Sequence, residues 1–178
     1  MHKKIPNIFT FISDFKKEEI LNLNKNIGII FRNYREENNK YKILEIKDFC
    51  KANNRKFYLA NNIKLAINLN LDGTYIPSFI KSLEIQNYSL KKEFLIMGSA
   101  HNIYEIKQKE KQGIKILFLS PLFKTKNYKN GLGIIKFNFL SRLSKIKIIA
   151  LGGINKKNIK KLKIANIYGF SGISYFFK

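Results

Sequence analysis

Apolar, β-branched runs of strand length recur along the chain and alternate with polar stretches long enough for helices. The runs fall at 7–14, 27–33, 56–62, 71–77, 94–101, 114–121, 147–154 and 168–175. Most are continuous, not strictly alternating, which is the pattern of parallel strands covered on both faces. Between them, Ile43, Ile46, Phe49 and Cys50 make one apolar stripe inside a helix predicted over 40–54. Asn102 and Glu105 form a capping box ahead of another helix. Asn155 stands where it caps a helix carrying Ile159 and Leu162, and Ser78 after Pro77 gives a weaker cap. Eight strands alternating with helices predict an α/β fold, a compact (β/α)8 TIM barrel, with residues 1–178 read as one domain. Almost nothing follows the last run, so the eighth helix is expected to be truncated or missing. An open, doubly wound sheet is the structural alternative.

Composition changes the picture only locally. The chain carries 34 Lys+Arg against 12 Asp+Glu, a formal charge of +22, and interleaves 13% aromatic residues. That is the electrostatic footprint of a nucleic-acid binder. Yet 30 Lys, 21 Asn and 29 Ile together make 80 of the 178 residues, and all three share AT-rich codons. Only Arg32, Arg35, Arg55 and Arg142 supply the guanidinium that reads bases and phosphates bidentately. The lysines are also spread from Lys3 to Lys178, so the charge reads as drift and nucleic acid is a disfavoured partner. A single cysteine, Cys50, excludes an internal disulfide framework and a cysteine-rich zinc site. No run approaches 18 apolar residues and the start lacks a long apolar core. A soluble, cytoplasmic protein with no membrane partner is the expectation.

Chemistry in such a barrel sits where strands end. The seventh run ends in Gly152-Gly153, which lets backbone amides approach an anion at the start of a helix. The eighth ends in Ser171, Gly172 and Ser174, and together the two ends make the phosphate site that these barrels use. The fifth ends in Gly98-Ser99-Ala100-His101, where an imidazole can move protons near neutral pH and Ser99 adds a hydroxyl donor. No carboxylate is placed to complete a triad, so serine hydrolysis is rejected. The loop 120–133 is long, carries Lys124, Thr125, Lys126 and Lys129, and suits a flap over a phosphorylated ligand. Each feature also has a plain reading: turn glycines, a structural histidine, a solvated lysine loop.

In order, Gly98-Ser-Ala-His101, Ser120-Pro-Leu-Phe-Lys-Thr125 and Ala150-Leu-Gly-Gly-Ile-Asn155 resemble the thiamine phosphate synthase family, which includes the thiazole tautomerases. Leu59-Ala-Asn-Asn62 and Leu71-Asp-Gly-Thr-Tyr75 resemble its Asn-Asp…Asp-Gly-Val-His stretch, and Ile29-Ile-Phe-Arg32 its Gln-x-Arg-x-Lys strand. The resemblance covers nearly the whole chain. It implies a (β/α)8 fold that joins hydroxymethylpyrimidine diphosphate to hydroxyethylthiazole phosphate and releases pyrophosphate. It implies that Arg32, Asn61, Ser99, Thr125 and Lys129 hold the diphosphate, with Asn62 beside them. Gly152, Gly153, Ser171, Gly172 and Ser174 would hold the thiazole phosphate, while His101 and Ser99, read from the residues at the end of the fifth run, are the catalytic candidates.

The departures from the family pattern fall on the metal and on the diphosphate site, where the flap has Asn127 and Tyr128 at a second Thr and Lys and brings Lys129 one residue late. Family synthases hold Mg²⁺ on two aspartates, whereas this chain has only Asp14, Asp48 and Asp72. Asn62 stands at the first position and Ile76-Pro-Ser-Phe79 at the segment of the second. The strand-two Gln and Lys appear as Ile30 and Tyr34. No side chain is therefore read as a metal ligand, and Mg²⁺ remains possible only through the substrate diphosphate. Two alternatives follow: a metal-independent thiazole tautomerase using His101, and a non-catalytic homologue that binds a phosphorylated ligand.

Overall fold

The computed structural model of the chain describes residues 5–35 and 39–177; His2 lies outside them. Eight parallel strands follow one another around a closed barrel: β1 (Ile8–Ile12), β2 (Gly28–Phe31), β3 (Phe57–Ala60), β4 (Gly73–Ile76), β5 (Leu95–Ala100), β6 (Ile116–Leu119), β7 (Lys147–Leu151) and β8 (Gly169–Ser171). β8 pairs with β1 through Ile8–Phe170 and Phe9–Ser171, so the sheet has no free edge and the open doubly wound alternative is excluded. The α helices are α1 (Lys17–Leu21), α2 (Lys40–Ala52), α3 (Ile63–Asn68), α4 (Ile103–Lys111), α5 (Gly133–Arg142) and α6 (Ile173–Phe176).

Alternate residues point into the barrel, and aromatic rings fill it. Phe9 meets Tyr58 and Phe118 at ring separations of 5.9 and 5.3 Å. One layer higher, Phe11, Tyr75 and Phe118 pack edge to face in a triangle of 5.0, 5.8 and 5.3 Å. Such pairs contribute about 0.5–1.5 kcal/mol each beyond the area that they bury. The outward residues, among them Ile29, Phe31, Leu59, Leu117 and Leu119, are buried beneath the helices. This double burial is what made the strands continuous apolar runs.

Three local expectations change. Ser78 starts no helix: the connection after β4 contains only a 3-10 turn at Glu84–Asn87, whose first amide bonds to Ser82. Asn155 does accept from the Lys157 and Asn158 amides, but the turn that it closes leads into a 3-10 helix, Ile159–Ile164. The eighth run stops at Ser171, and Ile173–Phe176 is one helical turn, so Ser174 sits on α6.

The loop after β4 is held by a lysine that the pattern did not single out. Lys109 of α4 is fully buried and donates to the carbonyls of Pro77 (2.8 Å) and Ile80 (2.8 Å) and to Gln112 Oε1 (2.9 Å). Gln112 in turn donates to the carbonyls of Ile80 and Ser82. Burial pulls the Lys109 ammonium down from 10.5 to about 8, against the weaker opposing charge of Glu105. Between those values the unfolded chain holds a proton that the folded chain has released, so stability gained from this group rises with pH. The unfolding free energy of the wild type minus that of Lys109→Met is therefore expected to increase between about pH 8 and pH 10.5. Urea titrations across the range check it, and a flat difference contradicts it.

Candidate functional site at the C-terminal mouth of the barrel

The aromatic triangle forms the floor of the mouth. Arg32, the first residue after β2, lays its guanidinium 4.4 Å over the Phe11 ring. Its amide donates to the Ile12 carbonyl at 2.8 Å, which fixes where the side chain starts. Ser99 and Arg32 lie close enough to the Tyr75 hydroxyl to act on its ionisation. Burial pushes that phenol up to about 12, and the Ser99 hydroxyl and the Arg32 charge pull it partly back. Tyr75 therefore stays protonated and serves as a dipole that orients Arg32. Stacking on Phe11 beside the Tyr75 hydroxyl seats the cation, with no carboxylate partner among the described residues, so its charge is available to an anion.

A second cluster surrounds His101. Its Nδ1 lies 2.9 Å from the Ser120 carbonyl and 3.2 Å from Ser120 Oγ. A carbonyl only accepts, so Nδ1 carries the hydrogen and Nε2 is the acceptor of the neutral ring. The capping box is realised here: Glu105 accepts from the His101 amide at 2.8 Å, and Asn102 accepts from the Glu105 amide at 3.0 Å. Tyr128, from the loop after β6, stacks on the imidazole at 6.0 Å and 27°. Thr125 Oγ1 accepts from the Tyr128 amide, so this hydroxyl shapes the loop that carries the ring. Lys124, Lys126, Tyr128 and Lys129 are exposed or largely so along it.

Gly152 and Gly153 have φ of +95° and +70°. A Cβ at Gly152 would lie 2.7 Å from Pro121, and one at Gly153 only 2.4 Å from the Lys124 carbonyl oxygen. The pair is thus where the loop after β6 docks: Leu122 donates to the Leu151 carbonyl and Phe123 to that of Gly152. Gly172 precedes α6 and Ser174 is exposed on it, whereas Ser171 is fully buried and its Oγ has no partner among the described residues. Asn61 takes a left-handed φ of +64°, and its amide donates to the Tyr75 carbonyl. The structure therefore gathers Arg32 with Ser99, and His101 with the loop of Thr125 and Lys129. Tyr75, Ser120 and Tyr128 join them; Tyr75 was legible only as the last residue of the Leu71-Asp-Gly-Thr-Tyr75 motif, without a role.

The corner at β3 does not suit a protein-held Mg²⁺. Asn62 Oδ1 caps α3, accepting from the Leu65 amide at 2.9 Å. Phe79 packs edge-on against Tyr34 at 6.0 Å, and because these rings come from the loops after β2 and β4 they meet across the end of β3. Asp72 lies at the start of β4, the far end of the barrel, ion-paired with Lys56; Asp14 pairs with Lys42 at 3.0 Å. No group of three His, Cys, Asp or Glu gathers among the described residues. One amide oxygen and two aromatic rings do not supply the carboxylate oxygens that this ion prefers.

A closed parallel barrel with a glycine pair after β7 and a basic, polar mouth defines a (β/α)8 TIM-barrel protein. The profile of the family described as thiamine monophosphate synthase matches residues 21–176, and the chain belongs to that family. It is 29% identical over 125 residues to a thiamine-phosphate synthase of Prochlorococcus marinus, covering 69% of this chain and 36% of that relative. It is 29% identical over 154 residues to the thiamine-phosphate synthase of Flavobacterium johnsoniae, covering 82% of this chain and 72% of that one. The chain spans about two fifths or less of three Prochlorococcus marinus relatives that it matches, 36%, 40% and 38% of their lengths. Among solved structures, the thiamine phosphate pyrophosphorylase from Pyrococcus furiosus superposes with a TM-score of 0.74 at 18% identity, covering 96% of this chain and 86% of that one.

Two outcomes test this geometry. Gly153→Ala is expected to lower stability by about 1–3 kcal/mol and to displace the loop after β6, read by urea unfolding and by altered Tyr128 fluorescence. With Mg²⁺ as the only titrant, the wild type is expected to give no calorimetric binding, whereas Asn62→Asp with Phe79→Asp gains it. Micromolar Mg²⁺ binding by the wild type would show that the β3 corner has been misread.

Proposed function

We propose that the chain is a biosynthetic transferase of thiamine formation, joining hydroxymethylpyrimidine diphosphate to hydroxyethylthiazole phosphate at the barrel mouth. The observation that carries this reading is Arg32, seated at the floor on the Phe11 ring beside Tyr75, with no carboxylate partner among the described residues. In the reaction the bond between the pyrimidine methylene carbon and the diphosphate oxygen breaks, its electron pair leaving on oxygen. The thiazole partner then supplies the pair for the new bond to that carbon. Negative charge grows on the departing pyrophosphate, so a preorganised cation lowers the barrier where water would have to reorganise. Lys124, Lys126 and Lys129 on the loop after β6 add positive charge from above. The amides at Gly152 and Gly153 receive the thiazole phosphate, and the Nε2 of His101 is the group through which a proton or hydrogen bond reaches the substrates. Membership of the synthase family supports the substrate pair.

No step here runs through a metal held by the protein, since the donor set at the β3 corner does not fit one. Mixing both substrates is expected to release pyrophosphate in a coupled phosphate assay. Arg32→Ala should lower kcat/KM by about 10²–10³, the cost of one oxyanion donor at a developing charge. Absence of release above background from folded protein would remove the proposal.

A further inference from the structure

A cavity of about 720 Å³ opens at the end of the barrel opposite the mouth, a volume typical of small-molecule sites. Its wall brings together cations that are far apart in sequence. Lys25 comes from the turn before β2, Lys47 and Lys51 from the second half of α2, and Arg55 and Lys56 from the entry to β3. Among the described residues the one acid on this wall, Asp72, is ion-paired with Lys56 and also accepts from the Phe57 amide at 3.0 Å. Five positive charges against one negative give the described wall a charge of +4.

The arrangement is built as well as charged. Arg55 is 95% buried, and its guanidinium donates to the carbonyls of Leu23 (2.7 Å), Asn24 (3.1 Å) and Leu21 (3.3 Å) behind α1. Its Nε is buried with no hydrogen-bond partner among the described residues. Carbonyl dipoles fix the group without cancelling its unit charge. Lys47 and Lys51 stand one turn apart on α2, where like charges at i,i+4 repel. A concave wall with this surplus focuses its potential on whatever enters, and the volume admits a small molecule, not a duplex.

We propose that this cavity binds a small polyphosphorylated metabolite, at a site separate from the mouth. The probe is inorganic tripolyphosphate, titrated calorimetrically at about 0.15 M salt, where diffuse surface charge is screened. Wild type and Arg32→Ala, whose change lies at the mouth, are expected to retain a binding event that Lys47→Glu with Lys51→Glu weakens roughly tenfold or more. Lys160→Glu with Lys161→Glu, exposed on the 3-10 helix after β7, serves as a matched control for lost lysine charge. No binding by the wild type overturns the proposal, as does equal weakening by the two lysine pairs. Loss in Arg32→Ala alone places the anion at the mouth and overturns it too.

Discussion

A parallel barrel closed by strands of three to six residues has room for only a few layers of side chains, and those layers must fill it without a void. This chain fills it with rings: Phe9, Tyr58 and Phe118 below, Phe11, Tyr75 and Phe118 above. The fit depends on small neighbours, since a Cβ at Gly28 would stand 2.6 Å from the Phe9 ring. The upper layer does two jobs at once. Its apolar faces close the core, and the Phe11 ring seats Arg32 beside the Tyr75 hydroxyl at the floor of the mouth. Core and site are therefore not separable here: altering Phe11 removes packing and the seat of the cation together.

This arrangement answers a problem set by composition. With 12 acids against 34 basic side chains, carboxylates are scarce, and four of the described ones are spent on structure. Asp72 pairs with Lys56, Asp14 with Lys42, Glu110 with Lys107, and Glu105 caps α4. A binding cation seated on an aromatic face and a phenol needs none of them. The same shortage leaves Asn62 and Phe79 where acids would be required to hold a divalent ion.

The strands were legible because burial on both faces writes itself into a sequence as an unbroken apolar run, and all eight appear. Their ends were overrun by one to four residues, since Arg32, Asn62 and Gly152 continue the chain direction after the ladder stops. Short connections were the weak point. After β4 and β7 the polar stretches form 3-10 turns, because few residues there face the barrel and little apolar area is available to support a full helix. The glycines and His101 announced themselves through residue type. Lys109 could not, because a buried lysine looks like any other of the 30 until the loop carbonyls of Pro77 and Ile80 are placed around it.

Distribution, not total, is what the charge finally expresses. Along the sequence the lysines look evenly spread, yet folding sorts them by strand end. The connections that follow strands place Arg32, Lys124, Lys126 and Lys129 around the mouth, and those that precede strands place Lys25, Arg55 and Lys56 around the opposite cavity. A (β/α)8 topology does this to any periodic charge, because every connection delivers one residue set to the top and the next to the bottom. Positive potential at the mouth thus follows from composition acting through topology, and what turns potential into a site is the rigid placement of single groups: Arg32 over Phe11, and the Nδ1 of His101 on the Ser120 carbonyl. Drift in base composition could supply the lysines, but it does not position a guanidinium 4.4 Å above a ring that the core already requires.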